Sequence, residues 1–214
     1  MLEPIDAANV LSKIEYACRT CYQSYDKISE GSAERLIRSC IKRGHESVLE
    51  HSSLSFKIIC DRSVLAQWTR HRLASYAVES QRYCNYELDK FGKEITCVTP
   101  VWAEQILSQS PPYNTEQCNA LQRFGLIKEC CLSAERNYFA LIELGCKPEE
   151  ARAILPNATK CTMIWTANMR EIRHFIRLRA SAAADPSIRK LAQQLLQLLK
   201  ENGLNCLVED LEEK

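Results

Sequence analysis

Apolar residues recur every three or four positions over several long stretches of the chain and alternate over only a few short ones. Val10, Leu11, Ile14, Ala17, Cys18 and Cys21 share one face of a predicted helix over 6–23, with Asp6 as its cap. Leu36, Ile37, Cys40 and Ile41 do the same over 32–43, where Gly44 supplies the stop. Leu54, Phe56 and Ile58 alternate with Ser55 and Lys57, which predicts a strand over 53–60. Asp61 is placed to cap a helix over 62–71.

Further along, residues 94–99 read as a short strand closed by Pro100. A long helical pattern over 115–144 ends at Gly145, and Pro148 opens a shorter helix that stops before Pro156. Residues 158–166 are rich in β-formers, and a helix follows over 168–180. Asp185-Pro186 is a cap followed by proline at the first helical position, opening a last helix that ends at Gly203. Strands and helices do not alternate strictly. The expectation is therefore an α+β fold, a small and largely antiparallel sheet packed with helices, as a single domain over 1–214.

Composition narrows the function classes. The formal net charge of the 214 residues is +1, so no global basic field exists to hold nucleic acid. No apolar run approaches the about 20 residues that a membrane helix needs. The N-terminal stretch MLEPIDAANV lacks the basic start and apolar core of a secretory leader, which points to a cytoplasmic protein. The 12 cysteines are scattered and read as free thiols. Cys18 and Cys21 form a lone C-x-x-C inside a helical pattern, with no second close pair to complete a zinc site, so no metal is expected.

Three segments break their local pattern. On the helix at 168–180, Met169, Ile172, Phe175, Ile176 and Leu178 define the apolar arc. Asn168 and Arg179 fall near its centre and Glu171 at one edge. Arg170, Arg173 and Arg177 occupy the opposite face, with His174 at the boundary. Arg179 either snorkels past the core or points into a pocket and holds an anion or polarised carbonyl. From Gln67 to Tyr83, the basic groups Arg70, His71, Arg72 and Arg82 include no lysine, a choice that suits bidentate phosphate recognition. Ser80 there lacks an adjacent base and reads as a hydrogen-bonding group. His45, Glu46, Ser47, Glu50 and His51 form a third polar cluster, whose histidines are too far apart for helical metal pairing. No phosphate-binding glycine loop is present, so a nucleotide must be held by side chains and helix ends.

Arg70-His71-Arg72, followed seven residues later by Ser80 and then by Arg82-Tyr83, resembles the signature of the flavin-dependent thymidylate synthases. The stretches GHESVLEHSSLSF at 44–56 and ARAILPNATKCTMIWTANMREIRHFIRLR at 151–179 extend the resemblance over most of the chain. The resemblance implies that Gln67, Arg70, Val78, Glu79, Ser80, Gln81, Arg82, Arg152 and Arg179 contact deoxyuridine monophosphate. It implies that His45, Ser47, Arg70, His71, Arg72, Val78, Asn168, Met169, Arg170 and His174 contact FAD. Arg179 would be the catalytic group, holding the uracil and favouring ionisation at its ring nitrogen. The implied reaction is reductive methylation of that nucleotide, with methylenetetrahydrofolate as one-carbon donor and NADPH as reductant. A homotetramer with shared sites is also implied.

Two departures accompany the match. Many family members carry Asn-Glu where this chain has Ala77-Val78, so residue 78 can offer only its backbone, with Glu79 beside it. Many carry His-Ala-Gln after the final arginine, where this chain reads Ala183-Ala184-Asp185-Pro186. Two other readings stay open: a paralogue acting on a different uracil nucleotide, and a non-catalytic nucleotide-binding protein.

Overall fold

The computed structural model describes residues 4–211. The first three residues, part of the stretch read above for a leader, and the last three, at the end of the expected domain, lie outside the described residues. The fold is α+β, with eight α-helices and a three-stranded sheet among the described residues. In chain order the helices are α1 (Ala7–Thr20), α2 (Ser32–Lys42), α3 (Arg62–Trp68), α4 (Val101–Leu107), α5 (Thr115–Glu143), α6 (Pro148–Ala151), α7 (Met169–Arg179) and α8 (Pro186–Glu201). The strands β1 (Ser53–Asp61), β2 (Ala74–Val78) and β3 (Lys160–Asn168) pair in the order β1-β3-β2. The register is antiparallel: Ser55 bonds Thr166 across β1 and β3, and three residues further on Met169 N donates to Ser52 O. The chain divides into two compact units, and the division falls within each strand, after Lys57, Tyr76 and Met163.

The first unit runs to Lys57, takes in Thr69–Tyr76 and resumes at Ile164. α1 begins where expected, with the Asp6 carboxylate accepting from Asn9 N at 3.0 Å. Its buried face is Val10, Leu11, Ile14, Glu15 and Cys18, whereas Cys21 is exposed, one turn past the part of the face that α2 covers. Cys18 therefore does not pair with Cys21. Its sulfur lies 3.7 Å from that of Cys40 on α2. Buried Glu15 accepts from Arg19 and, at 2.6 Å, from the Ser32 hydroxyl at the start of α2. α2 closes at Gly44, whose φ of +74° lets Gly44 N and His45 N reach Ile41 O and Cys40 O.

The helix α7 lies beside α8 and the 3-10 turn Glu46–His51. Ile172, Phe175 and Ile176 are fully buried, as the apolar arc requires. Two positions differ from expectation. Leu178 is exposed, one residue from the helix end. Arg173, placed on the solvated face by periodicity, is 0% exposed. A helical wheel assumes one covered side, whereas α7 is covered on two. On the second side Arg173 donates to the Leu207 carbonyl and to both Asp210 oxygens at 2.7 and 2.8 Å, with Glu46 at 3.6 Å. The guanidinium holds the Asp210 carboxyl below the usual carboxylate range.

The second unit comprises Ile58–Trp68 and Ala77–Met163. Asp61 caps α3 through Val64 N at 2.7 Å, and the helix ends at Trp68, three residues before the expected end at 71. α5 opens with a reciprocal cap between Asn114 and Gln117 and stops before Gly145, which adopts φ +91°. Tyr86, Ile95, Tyr138 and Ala151 form one buried cluster of this unit. Residues 94–99 do not form a strand. Cys97 makes a single antiparallel bridge to Thr159, and the pairing extends no further than backbone bonds at Thr96 and Val98. Two elements were not anticipated, α4 and β2. β2 spans five residues, none of them fully buried, so it carries no clean alternation.

Asp210→Ala leaves the buried Arg173 charge with only the Leu207 carbonyl and a distant Glu46. Its expected cost, about 2 kcal/mol after allowing for the partial exposure of Asp210, is read from the denaturant midpoint. A loss under a few tenths of a kcal/mol would show that water solvates Arg173 once Asp210 is gone.

Candidate functional site

Glu171, Phe175 and Arg179 follow one another at intervals of four on α7, so they line one face of the helix. All three meet His71, in the turn that precedes β2. The imidazole is 5% exposed, its ring packs edge-on against Phe175 at 4.9 Å between centroids, and its Nδ1 lies 3.4 Å from a Glu171 oxygen. Arg179 Nε donates to His71 Nε2 at 3.0 Å. His174 approaches from the same helix at 5.8 Å, and the Tyr76 hydroxyl donates to the His71 carbonyl at 2.6 Å.

Arginine Nε can only donate, so His71 Nε2 must carry a lone pair and the ring proton must sit on Nδ1. Electrostatics agree. Burial, then Arg179, then His174 lower the His71 pKa from 6.5 to about 4, so the ring is neutral at physiological pH. Burial pushes the Glu171 carboxyl up from its usual range, and His174 opposes that rise.

The sequence-derived residues of the first unit divide into three groups. His71, His174 and Arg179 come together as described. Arg70 and Arg72 flank His71, are exposed, and make no ion pair or side-chain hydrogen bond among the described residues; His45 and Ser47 are likewise exposed. The remaining three do structural work. Asn168 is the N-cap of α7, accepting from Glu171 N at 2.9 Å, so its place in the apolar arc reflects the start of the helix. Met169 is fully buried, and Arg170 pairs with Glu50. The Asn before an apolar run was a readable cap signal. No local pattern marks Glu171, because its partner, His71, is a hundred positions away.

In the second unit, Ser80 begins a tight turn: its carbonyl accepts from Tyr83 N and Cys84 N, and its hydroxyl from Arg82 N at 3.2 Å. Gln81 is buried within that turn. Arg82 and Arg152 both reach Glu149, Arg82 through the carboxylate at 2.7 Å and Arg152 through the main-chain carbonyl at 3.2 Å. Glu79 is committed elsewhere, accepting from the Tyr86 hydroxyl and from Thr162 N, both at 3.2 Å. Val78 is exposed, and Gln67, on α3, is half-buried. Back in the first unit, beyond Arg179, Asp185 caps α8 through Ser187 N at 3.0 Å.

The buried neutral His71 has a measurable signature. Its unfolded-state pKa is near 6.5 and its folded value about 4, so the unfolded chain takes up the proton first as pH falls. Stability from this residue is complete above pH 6.5 and declines between 6.5 and 4, by about 3 kcal/mol in all. Denaturant midpoints across that window should fall more steeply for the wild type than for His71→Gln. Parallel slopes would mean that His71 is protonated in the folded state.

Residues 5–202 match the family model described as thymidylate synthase complementing protein. The chain is 34% identical over 195 residues to a flavin-dependent thymidylate synthase of Pyrococcus furiosus, covering 91% of this chain and 73% of that protein. It is 33% identical over 194 residues to one of Geobacter sulfurreducens, covering 87% and 76%. A probable flavin-dependent thymidylate synthase of Mycobacterium phage D29 is 34% identical over 213 residues, covering 95% and 83%. Family model and relatives agree over nearly the whole sequence, and the chain belongs to the flavin-dependent thymidylate synthase family.

Proposed function

We propose that this protein converts deoxyuridine monophosphate to deoxythymidine monophosphate by reductive methylation, with residues 1–214 acting as one catalytic domain in the cytoplasm. The observation that carries the reading is the 3.0 Å contact between Arg179 and His71. Two segments singled out separately, the R-H-R run and the polar break in an apolar helix face, meet in one hydrogen bond. When bound, FAD supplies the hydride, NADPH the reducing equivalents and methylenetetrahydrofolate the one-carbon unit.

The chain's own side chains fit that assignment. Arg70 and Arg72 present guanidinium forks with no acidic partner, the donor type that suits a diphosphate. His45, Ser47, the Val78 backbone, Asn168, Arg170 and His174 complete the proposed flavin contacts, whereas Met169, expected among them, is fully buried in the core. Gln67, Arg70, Val78, Glu79, Ser80, Gln81, Arg82 and Arg152 are the proposed nucleotide contacts, Glu79 by its main chain because its carboxylate is occupied. Arg179 bears the catalytic role. A permanently charged group beside a neutral imidazole stabilises negative charge that develops on a bound uracil ring. Assembly as a homotetramer with shared sites belongs to the same reading.

The test is product formation by purified protein with deoxyuridine monophosphate, methylenetetrahydrofolate, NADPH and FAD. Thymidylate is expected. Methylation of another uracil nucleotide, or protein that stays colourless after FAD is added, would overturn the reading. Arg179→Ala should keep the fold and bound flavin yet lose at least about a hundredfold in turnover. Arg179→Lys should recover little of it, because lysine lacks the planar fork.

A further inference from the structure

Glu171 is a carboxylate with 6% exposure on the face of α7 that carries Arg179, and no step of the proposed reaction uses it. A carboxylate is a poor choice for a buried position unless something there requires an acceptor. Its backbone N–H is taken by the Asn168 cap. Its side chain faces His71 Nδ1 at 3.4 Å, within ion-pair range, and that nitrogen has no hydrogen-bond partner among the described residues. The opposite ring nitrogen accepts from Arg179 at 3.0 Å. Three side chains therefore form one line: carboxylate, imidazole, guanidinium.

The line has a direction. Arg179 cannot accept a hydrogen bond, so it can be held by His71 only if Nε2 is bare and the proton sits on Nδ1. In an apolar surrounding that N–H would be an unsatisfied buried donor. A carboxylate beside it favours the required tautomer and disfavours the alternative, in which a bare Nδ1 would face a negative oxygen and an Nε2–H would face the arginine. The distance is a few tenths of an ångström beyond an ordinary hydrogen bond, as contacts around a reacting group often are before ligand binds.

We propose that Glu171 is a positioning residue that selects the Nδ1–H tautomer of His71 and through it fixes the guanidinium plane of Arg179. The proposal rests on the reading of Arg179 as the group that acts on the uracil. It adds that the orientation of that group is set from the first turn of its own helix, two turns away, through a residue from another segment.

The experiment uses the full-length protein with ring-15N-labelled histidine, at pH 6 to 8 and without added substrate. The chain holds 4 histidines, and His71→Gln identifies the signals of interest. The wild type should show a protonated Nδ1 and a bare Nε2 at His71. Glu171→Gln, whose amide oxygen still accepts, should keep that pattern and most of the thymidylate turnover. Glu171→Leu should lose the pattern and lower kcat about tenfold to a hundredfold, with a smaller change in the KM for deoxyuridine monophosphate. A wild-type His71 protonated at Nε2 overturns the proposal, as does a Glu171→Leu protein that keeps Nδ1–H. A Glu171→Gln protein as slow as Glu171→Leu overturns it too. If Glu171→Leu does not fold, the wild-type tautomer and the Glu171→Gln comparison decide the matter. Tautomer shifts in a protein that makes no thymidylate would sink the catalytic reading and leave the positioning of Arg179 standing.

Discussion

A guanidinium cannot shed its proton to escape burial, so every arginine that α7 draws inward must be met by an acceptor from elsewhere in the chain. Arg173 is met by the Leu207 carbonyl and Asp210, near the end of the described chain. Arg179 is met by a histidine from the turn before β2. These pairings fix which segments can lie against α7. They bring the C-terminal 3-10 turns and the R-H-R segment onto the same short helix, on different faces. The Asn168 cap and Met169, which donates to Ser52 O, anchor the start of that helix to the edge of β1.

Much of this was legible in the sequence where the signal is local. Asp6, Asp61 and Asp185 cap the helices they were expected to cap, and Gly44, Gly145 and Gly203 end theirs with positive φ. The alternation of β1 and the apolar arc of α7 also hold. What periodicity could not show were partners distant in sequence. Arg173 reads as a surface residue until Asp210 is placed beside it, 37 positions on. Glu171 reads as a boundary residue until His71 is. β2 escaped notice because it is five residues long and none of its side chains is fully buried, so half-buried Ala74 and Tyr76 stand out little from Ser75 and Ala77. Residues 94–99 had a strand's composition, yet only Cys97 pairs as a bridge.

For the site, residue type proved a better guide than face. Arg179, His71 and His174, drawn from segments about a hundred positions apart, do gather. Asn168 is the second polar residue in the apolar arc, and its place there is that of the helix cap. Glu79 shows the opposite lesson. It stands next to the unusual Ala77-Val78, where a carboxylate invites a ligand-binding reading, and its oxygens are used to hold Tyr86 and the β3 backbone.

Glu149 gives the arginines of the second unit a character of their own. With Arg82 on its carboxylate and Arg152 on its carbonyl, both guanidinium groups already have a partner before any anion arrives. An incoming phosphate on Arg82 exchanges one negative partner for another rather than capturing a loose cation. Less side-chain entropy is lost on binding, but the electrostatic gain is only the difference between two anions. If Arg82 and Arg152 are the nucleotide contacts proposed above, residue 149 sets how firmly the phosphate is held from a position that the anion need not touch.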